Sequence, residues 1–216
     1  MVHYGKFLYA IQGWQGYRIV MKYDLYDDSS GWSIIWNETE TSITGGANSV
    51  TDKYVTAHIH YGNCVYIFGG RDTPYQTNTY YDDLWKYDLI NNTWTLITNA
   101  TGSPPPPQGY MGYTSHNDIL YIVGGWNGTR SDSIWKYDVT NNHWTEIANN
   151  FLGHDIDSTT VVYHGDNLYI FGPSGCGKST LMDIMIGLRN NHEGDSFATI
   201  RNSKKIEKYD CCELRD

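Results

Sequence analysis

Val65-Tyr-Ile-Phe-Gly-Gly70 returns as Leu120-Tyr-Ile-Val-Gly-Gly125 and again as Leu168-Tyr-Ile-Phe-Gly172, and a degenerate form, Leu8-Tyr-Ala-Ile-Gln-Gly13, stands near the start of the chain. A second phrase follows each of the first two. Leu84-Trp-Lys-Tyr-Asp-Leu89 recurs as Ile134-Trp-Lys-Tyr-Asp-Val139, and the Asn-Asn-Thr-Trp94 after it recurs as Asn-Asn-His-Trp144. Met21-Lys-Tyr-Asp-Leu25 and Gly31-Trp-Ser-Ile-Ile35 hold the matching places in the first unit. Trp85 and Trp135 are 50 residues apart and Tyr66 and Tyr121 are 55 apart. A period near fifty is the signature of an array built from one supersecondary unit.

Each unit reads as strands. In Trp85-Lys-Tyr-Asp-Leu89 the apolar residues fall at every second position, so Trp85, Tyr87 and Leu89 share one face and Lys86 and Asp88 the other. Asn91-Asn92 and Asn141-Asn142 supply turn residues, and a second short β-rich run returns beside the first. The Gly-Gly pair allows backbone conformations closed to other residues and close approach of a neighbouring sheet. Burying a Trp of ~200 Å² at ~25 cal/mol/Å² contributes at most about 5 kcal/mol, and only if a second sheet presses on it.

Composition agrees. The 216 residues include 32 aromatics, 19 of them Tyr and 8 Trp, with 22 Gly. Lys and Arg number 15 against 24 Asp and Glu, a net charge of −9. An acidic, aromatic-rich chain of low charge density is a poor candidate for disorder or for a reader of nucleic-acid phosphates. No apolar run approaches 18 residues, so no membrane span is expected, and the N-terminus lacks the apolar core of a secretory signal. Cys64, Cys176, Cys211 and Cys212 show neither zinc spacing nor a disulfide framework, which favours a cytoplasmic location.

The Tyr-apolar-Gly-Gly strand end, the Trp-Lys-Tyr-Asp phrase and the later Trp resemble kelch repeats. The resemblance implies a mainly β fold, an incomplete kelch-type β-propeller with three full blades and the start of a fourth, and loops that present a binding surface to a protein partner. The kelch region is expected over 1–167, with blades at about 1–50, 51–105 and 106–153 and the fourth from 154. Propellers close with about four to eight blades, so the ring looks unfinished. His3, His60, His116 and His164 recur once per unit, which points to a turn or strand-surface role rather than to zinc. Pro104 to Pro107 falls where one blade passes to the next, as a stiff connection.

At the fourth unit the phrase changes. Gly172, Pro173, Ser174, Gly175, Cys176, Gly177, Lys178, Ser179 and Thr180 form a full GxxxxGK[ST] pattern. In such a loop backbone N–H groups surround phosphates, the Lys reaches the β- and γ-phosphates, and the Ser hydroxyl joins Mg²⁺. ATP with Mg²⁺ is therefore the expected cofactor, with Ser179 on the metal. Leu168 to Phe171 reads as the preceding strand, and Leu181 to Leu188 as a helix whose N-terminus faces the anion. The wording from Gly172 through Ile200 resembles the start of an ATP-binding cassette transporter nucleotide-binding domain. That segment is expected over 168–202, as β-P-loop-α, with a polar tail over 203–216. The family's signature, Walker B strand and switch histidine do not follow, so ATP hydrolysis by this chain alone is not expected and no catalytic residue is assigned. The combined reading is a protein-interaction module carrying a Walker A segment. The alternative is a fragment of a transporter ATPase fused to kelch repeats.

Overall fold

The computed structural model describes residues 1–11, 19–37, 43–44, 53–72, 79–149, 158–171, 184–190 and 196–202. All the regular structure in them is strand. Sheet I runs β1 (Val2–Tyr4), β2 (Phe7–Ile11), β3 (Ile19–Asp24) and β4 (Trp32–Asn37), each antiparallel to the next. Sheet II contains β5 (Ile43–Thr44), β6 (Ala57–Tyr61), β7 (Cys64–Phe68), β8 (Leu84–Asp88) and β9 (Thr93–Ile97), in the order β5-β9-β8-β7-β6. Sheet III repeats this with β10 (Thr101–Gly102), β11 (Gly112–His116), β12 (Ile119–Trp126), β13 (Arg130–Asp138) and β14 (His143–Ala148), ordered β10-β14-β13-β12-β11. Sheet IV is β15 (Thr160–His164), β16 (Asn167–Phe171), β17 (Ile184–Asn190) and β18 (Ser196–Asn202).

The short β5 and β10 pair parallel with the last strand of the sheet that follows them in sequence, β5 with β9 and β10 with β14. They cap an edge that would otherwise expose unpaired backbone groups. The linker is held there by a turn residue: the Asn142 side chain donates to the Asn99 backbone oxygen at 3.1 Å, while Thr101 N–H donates to the Asn142 oxygen at 2.9 Å. Pro104 to Pro107 lies between β10 and β11, the two outer strands of sheet III.

Alternation along the strands sends successive side chains to opposite neighbours. On β7, Val65 and Ile67 join the core shared with sheet I, where Trp85, Tyr87 and Trp94 meet Val2, Tyr9, Val20 and Trp36. Tyr66 and Phe68 join the core shared with sheet III, beside Leu120, Ile122, Trp135 and Trp144. On β12, Tyr121 and Val123 turn to the third core, with Val161, Leu168 and Ile170 of sheet IV. The ring pairs Trp36–Trp94 at 5.8 Å and Phe68–Trp144 at 5.2 Å stitch neighbouring sheets.

The turn after each Trp-Lys-Tyr-Asp phrase is built alike. The Asp88 carboxylate accepts from Ile90 N–H, Asn91 N–H and the Asn91 side chain, and Asp138 accepts from the Asn141 N–H and side chain. Burial opposes charge on these two carboxylates, but those donors outweigh it and hold both below the usual carboxylate range. Asn92 and Asn142 take the left-handed conformation and accept from the hydroxyls of Tyr87 and Tyr137.

One expected element is replaced. The helix from Leu181 to Leu188 is not formed; Ile184–Asn190 is β17, antiparallel to β16 with Tyr169 opposite Met185 and Leu168 opposite Ile186. A helix after a phosphate loop is normally supported by a parallel sheet beneath it. Here the neighbour on offer is the open edge of β16, and an apolar run beside such an edge gains a full ladder of backbone hydrogen bonds as strand. The expected P-loop residues 172–180 lie outside the described residues.

Trp94→Ala is expected to cost about 3–5 kcal/mol of stability, whereas Ile90→Ala, 63% exposed, stays within about 0.5 kcal/mol; urea titration of both variants checks the contrast.

Candidate functional site

Cationic and aromatic side chains gather on the rim beside the Gly-Gly phrases. Gly70 sits at φ +92°, and a Cβ there would stand 2.3 Å from Thr56 Cγ2 and 2.9 Å from the Tyr54 oxygen. Gly125, at φ +128°, would meet Gln108 Oε1 at 2.8 Å. Gly70 thus admits the entry segment of its own sheet at Tyr54 and Thr56, and Gly125 that of its own sheet at Gln108. That segment is then pinned by backbone bonds: Gly70 N–H donates to the Gln108 oxygen at 2.8 Å, Gln108 N–H to Tyr81 at 3.1 Å, and Gly109 N–H to Trp126 at 2.9 Å.

A second backbone chain runs from sheet to sheet. Val55, Tyr110 and Ser158 occupy matching entry positions, all with positive φ, at 55°, 59° and 54°. Tyr110 N–H donates to the Val55 oxygen at 3.0 Å, and Ser158 N–H to the Tyr110 oxygen at 2.7 Å. A β-branched residue such as Val55 resists this conformation, at a cost of about 1–2 kcal/mol. The inter-sheet bonds hold it there.

On this frame lies a set of cations against aromatic rings. Lys53 is 5% exposed, is bound to both carboxylate oxygens of Asp83, and stands 4.2 Å from the centre of the Tyr81 ring. Burial lowers its pKa, and Asp83 works against that fall. Asp83 also accepts from the Trp85 indole at 2.6 Å, tying the pair to the Trp-Lys-Tyr-Asp phrase. Arg71 pairs backbone to backbone with Tyr54 and Tyr80, its guanidinium 5.1 Å and 5.7 Å from their rings. Burial disfavours its charge, but contacts with Tyr80 and Tyr54 prevail and push its pKa up. Arg130 is exposed, 5.6 Å from the Trp126 ring. Gln108 is buried beside Gly69 and Gly125, and its Nε2 has no hydrogen-bond partner among the described residues.

His58, half-buried on β6, shares a 2.8 Å hydrogen bond between Nε2 and Thr56 Oγ1 at the edge of this rim. Burial chiefly, with the positive amino terminus, lowers its pKa to about 4. Of the once-per-unit histidines, His116 stacks on Tyr163 of the next sheet at 3.9 Å, His60 meets Tyr4 edge-on at 5.8 Å, and His164 lies 6.4 Å from the Tyr169 ring. Among the described residues no three His, Cys, Asp or Glu converge on a metal position, and no described helix is long and apolar enough to cross a membrane.

The rim was not singled out by the sequence. Arg71, Lys53 and Gln108 fall in the segments that differ most between units, and only their spacing from the Gly-Gly pairs marks them. The expected nucleotide residues 172–180 fall in the β16–β17 connection, the topological counterpart of the β7–β8 connection, which carries Arg71, and of the β12–β13 connection, after which Arg130 opens β13. A phosphate loop needs a helix N-terminus on its far side, and the described chain after this one enters a strand. Residues 172–180 themselves lie outside the described residues.

Comparison with known proteins gives two matches. The model of the KLHDC2/KLHL20/DRC7 Kelch-repeats domain matches residues 2–185. The model of the ABC transporter family matches residues 157–215, so both families claim 157–185. Similar proteins include the aliphatic sulfonates import ATP-binding protein SsuB of Bacillus cereus, 58% identical over 31 residues, 14% of this chain and 12% of SsuB. SsuB of Bacillus licheniformis is 50% identical over 38 residues, 18% of this chain and 15% of the relative. The ATP-binding protein Uup of Buchnera aphidicola is 38% identical over 52 residues, 24% of this chain and 8% of Uup. The chain thus spans only a small fraction of these relatives.

His58 sets a pH window. Its folded pKa lies below its ordinary value of 6.5, so the unfolded chain binds the extra proton. Stability is complete above pH 6.5 and is lost as pH falls toward 4, by up to about 3 kcal/mol. Asp88 and Asp138, depressed instead, contribute throughout that window and lose their share only at lower pH. Denaturation midpoints from pH 7 to 4 should fall in the wild type and flatten in His58→Gln.

Proposed function

Since the chain belongs to the kelch-repeat family of the KLHDC2/KLHL20/DRC7 type, we propose that it is a protein-interaction module, carrying a segment of ABC transporter origin at its end. The observation that supports this reading is the rim. It combines rigid backbone, held by inter-sheet hydrogen bonds, with arginines laid on aromatic rings. A guanidinium on an aromatic face keeps its planar donors directed outward and pairs with carboxylates in a fork. The chain carries a net charge of −9, so a local cationic shelf selects for acidic segments against a repulsive background. The partner is an extended, carboxylate-bearing stretch of another protein. The module has no catalytic role in this reading.

An array of immobilised short acidic, neutral and basic peptides tests it. The acidic set is expected to retain the wild-type chain, and the paired substitution Arg71→Glu and Arg130→Glu to lower that retention at least tenfold. Equal retention of all three sets, or no change in the variant, overturns the reading.

A second reading is nucleotide binding at Gly172 to Thr180, with Lys178 on the phosphates and Ser179 on Mg²⁺. The 58% identity to SsuB over 31 residues favours it, as the remnant of a transporter ATPase joined to kelch repeats. β17 in the place of the helix weighs against it. Calorimetric titration with Mg-ATP decides between them: this reading requires heat that Lys178→Ala abolishes, and equal signals from both chains remove it.

A further inference from the structure

Register fixes which residues of each sheet face the sheet before it. Leu8 is opposite Tyr23, Val65 opposite Tyr87, and Leu120 opposite Tyr137. Tyr23 is opposite Trp32, Tyr87 opposite Trp94, and Tyr137 opposite Trp144. Trp32, Trp94 and Trp144 are therefore the same position in three sheets. Trp94 is 0% and Trp144 3% exposed, each pressed into the sheet before it; Trp32 is 44% exposed. The rest of that face of sheet I, Leu8, Ala10, Met21, Tyr23 and Ile34, is apolar in the same register.

Sheet IV, the last of the described sheets, carries the opposite face. Val162 is opposite Tyr169, as Ile59 is opposite Tyr66. Ile59 is 3% exposed, against sheet III, and Val162 is 45% exposed. One end thus carries the surface that sheets II and III bury against a predecessor, and the other carries the surface that sheet II buries against a successor.

We propose that these two faces bind each other between two copies of the chain, sheet IV of one docking on sheet I of the second, head to tail. The internal contacts are the template: the first two join a Tyr/Trp face of the later sheet to the following face of the earlier one, in the third Leu168 and Ile170 take that place, and the intermolecular contact brings the Tyr/Trp face of sheet I into the series. Two such contacts close a ring of eight sheets, within the number that propellers accommodate.

Light scattering during size exclusion of the full chain tests the contact. A mass at or above twice the 24.7 kDa of the monomer is expected, falling to the monomer in Trp32→Glu and in Val162→Glu. Both positions lie outside the three internal cores, so each variant should keep the far-UV spectrum of the wild type. Mixing the two variants leaves one intact pair of faces and should restore the dimer. A wild-type mass of 24.7 kDa at every concentration overturns the proposal, as does a variant that keeps the higher mass. A mixture that stays monomeric while the wild type associates overturns the head-to-tail arrangement.

Discussion

Sheets II and III are apolar on both sides. Val65 and Ile67 point one way from β7 while Tyr66 and Phe68 point the other, and all four are almost wholly buried. A lone sheet of this kind would leave one face in water, losing on the order of 1.5–3 kcal/mol for each large side chain left uncovered. The array therefore has to be a stack. Each sheet is stable because a neighbour exists, as in other repeat architectures where stability is carried by contacts between adjacent units. The buried indoles, the glycine pairs that admit the entry segments and the shared backbone bonds at Val55, Tyr110 and Ser158 all serve that requirement.

The strand pattern was legible because alternation and repetition are written directly in side-chain chemistry. Trp85, Tyr87 and Leu89 share the face that their spacing assigned to them, and Asn92 and Asn142 make the turns their residue type favours. Local wording favours a helix over Leu181 to Leu188, and the context of Ile184–Asn190 outweighs it. Leu181 to Leu188 suits either conformation in isolation, and the edge of β16 decides the matter through hydrogen bonds that no local pattern encodes. The rim was illegible for a related reason: Lys53 and Asp83 are thirty residues apart and meet only when Gly70 lets the entry segment approach.

The overlap of two family matches over 157–185 has a structural counterpart. β16 ends in the apolar-then-Gly wording that a kelch strand and the strand before a phosphate loop have in common. Residues beyond it pair as β17 and β18, so wording shared with transporter ATPases is used here as sheet.

The parallel pairs β5–β9 and β10–β14 impose an order on assembly. Ile43–Thr44 leaves the ribosome well before Trp94, its partner, so the edge cap of sheet II waits on a sheet that does not yet exist. The same holds for Thr101–Gly102 and β14. As each new sheet completes, it captures the tail of the one before, and the growing chain is fastened in the direction in which it is made.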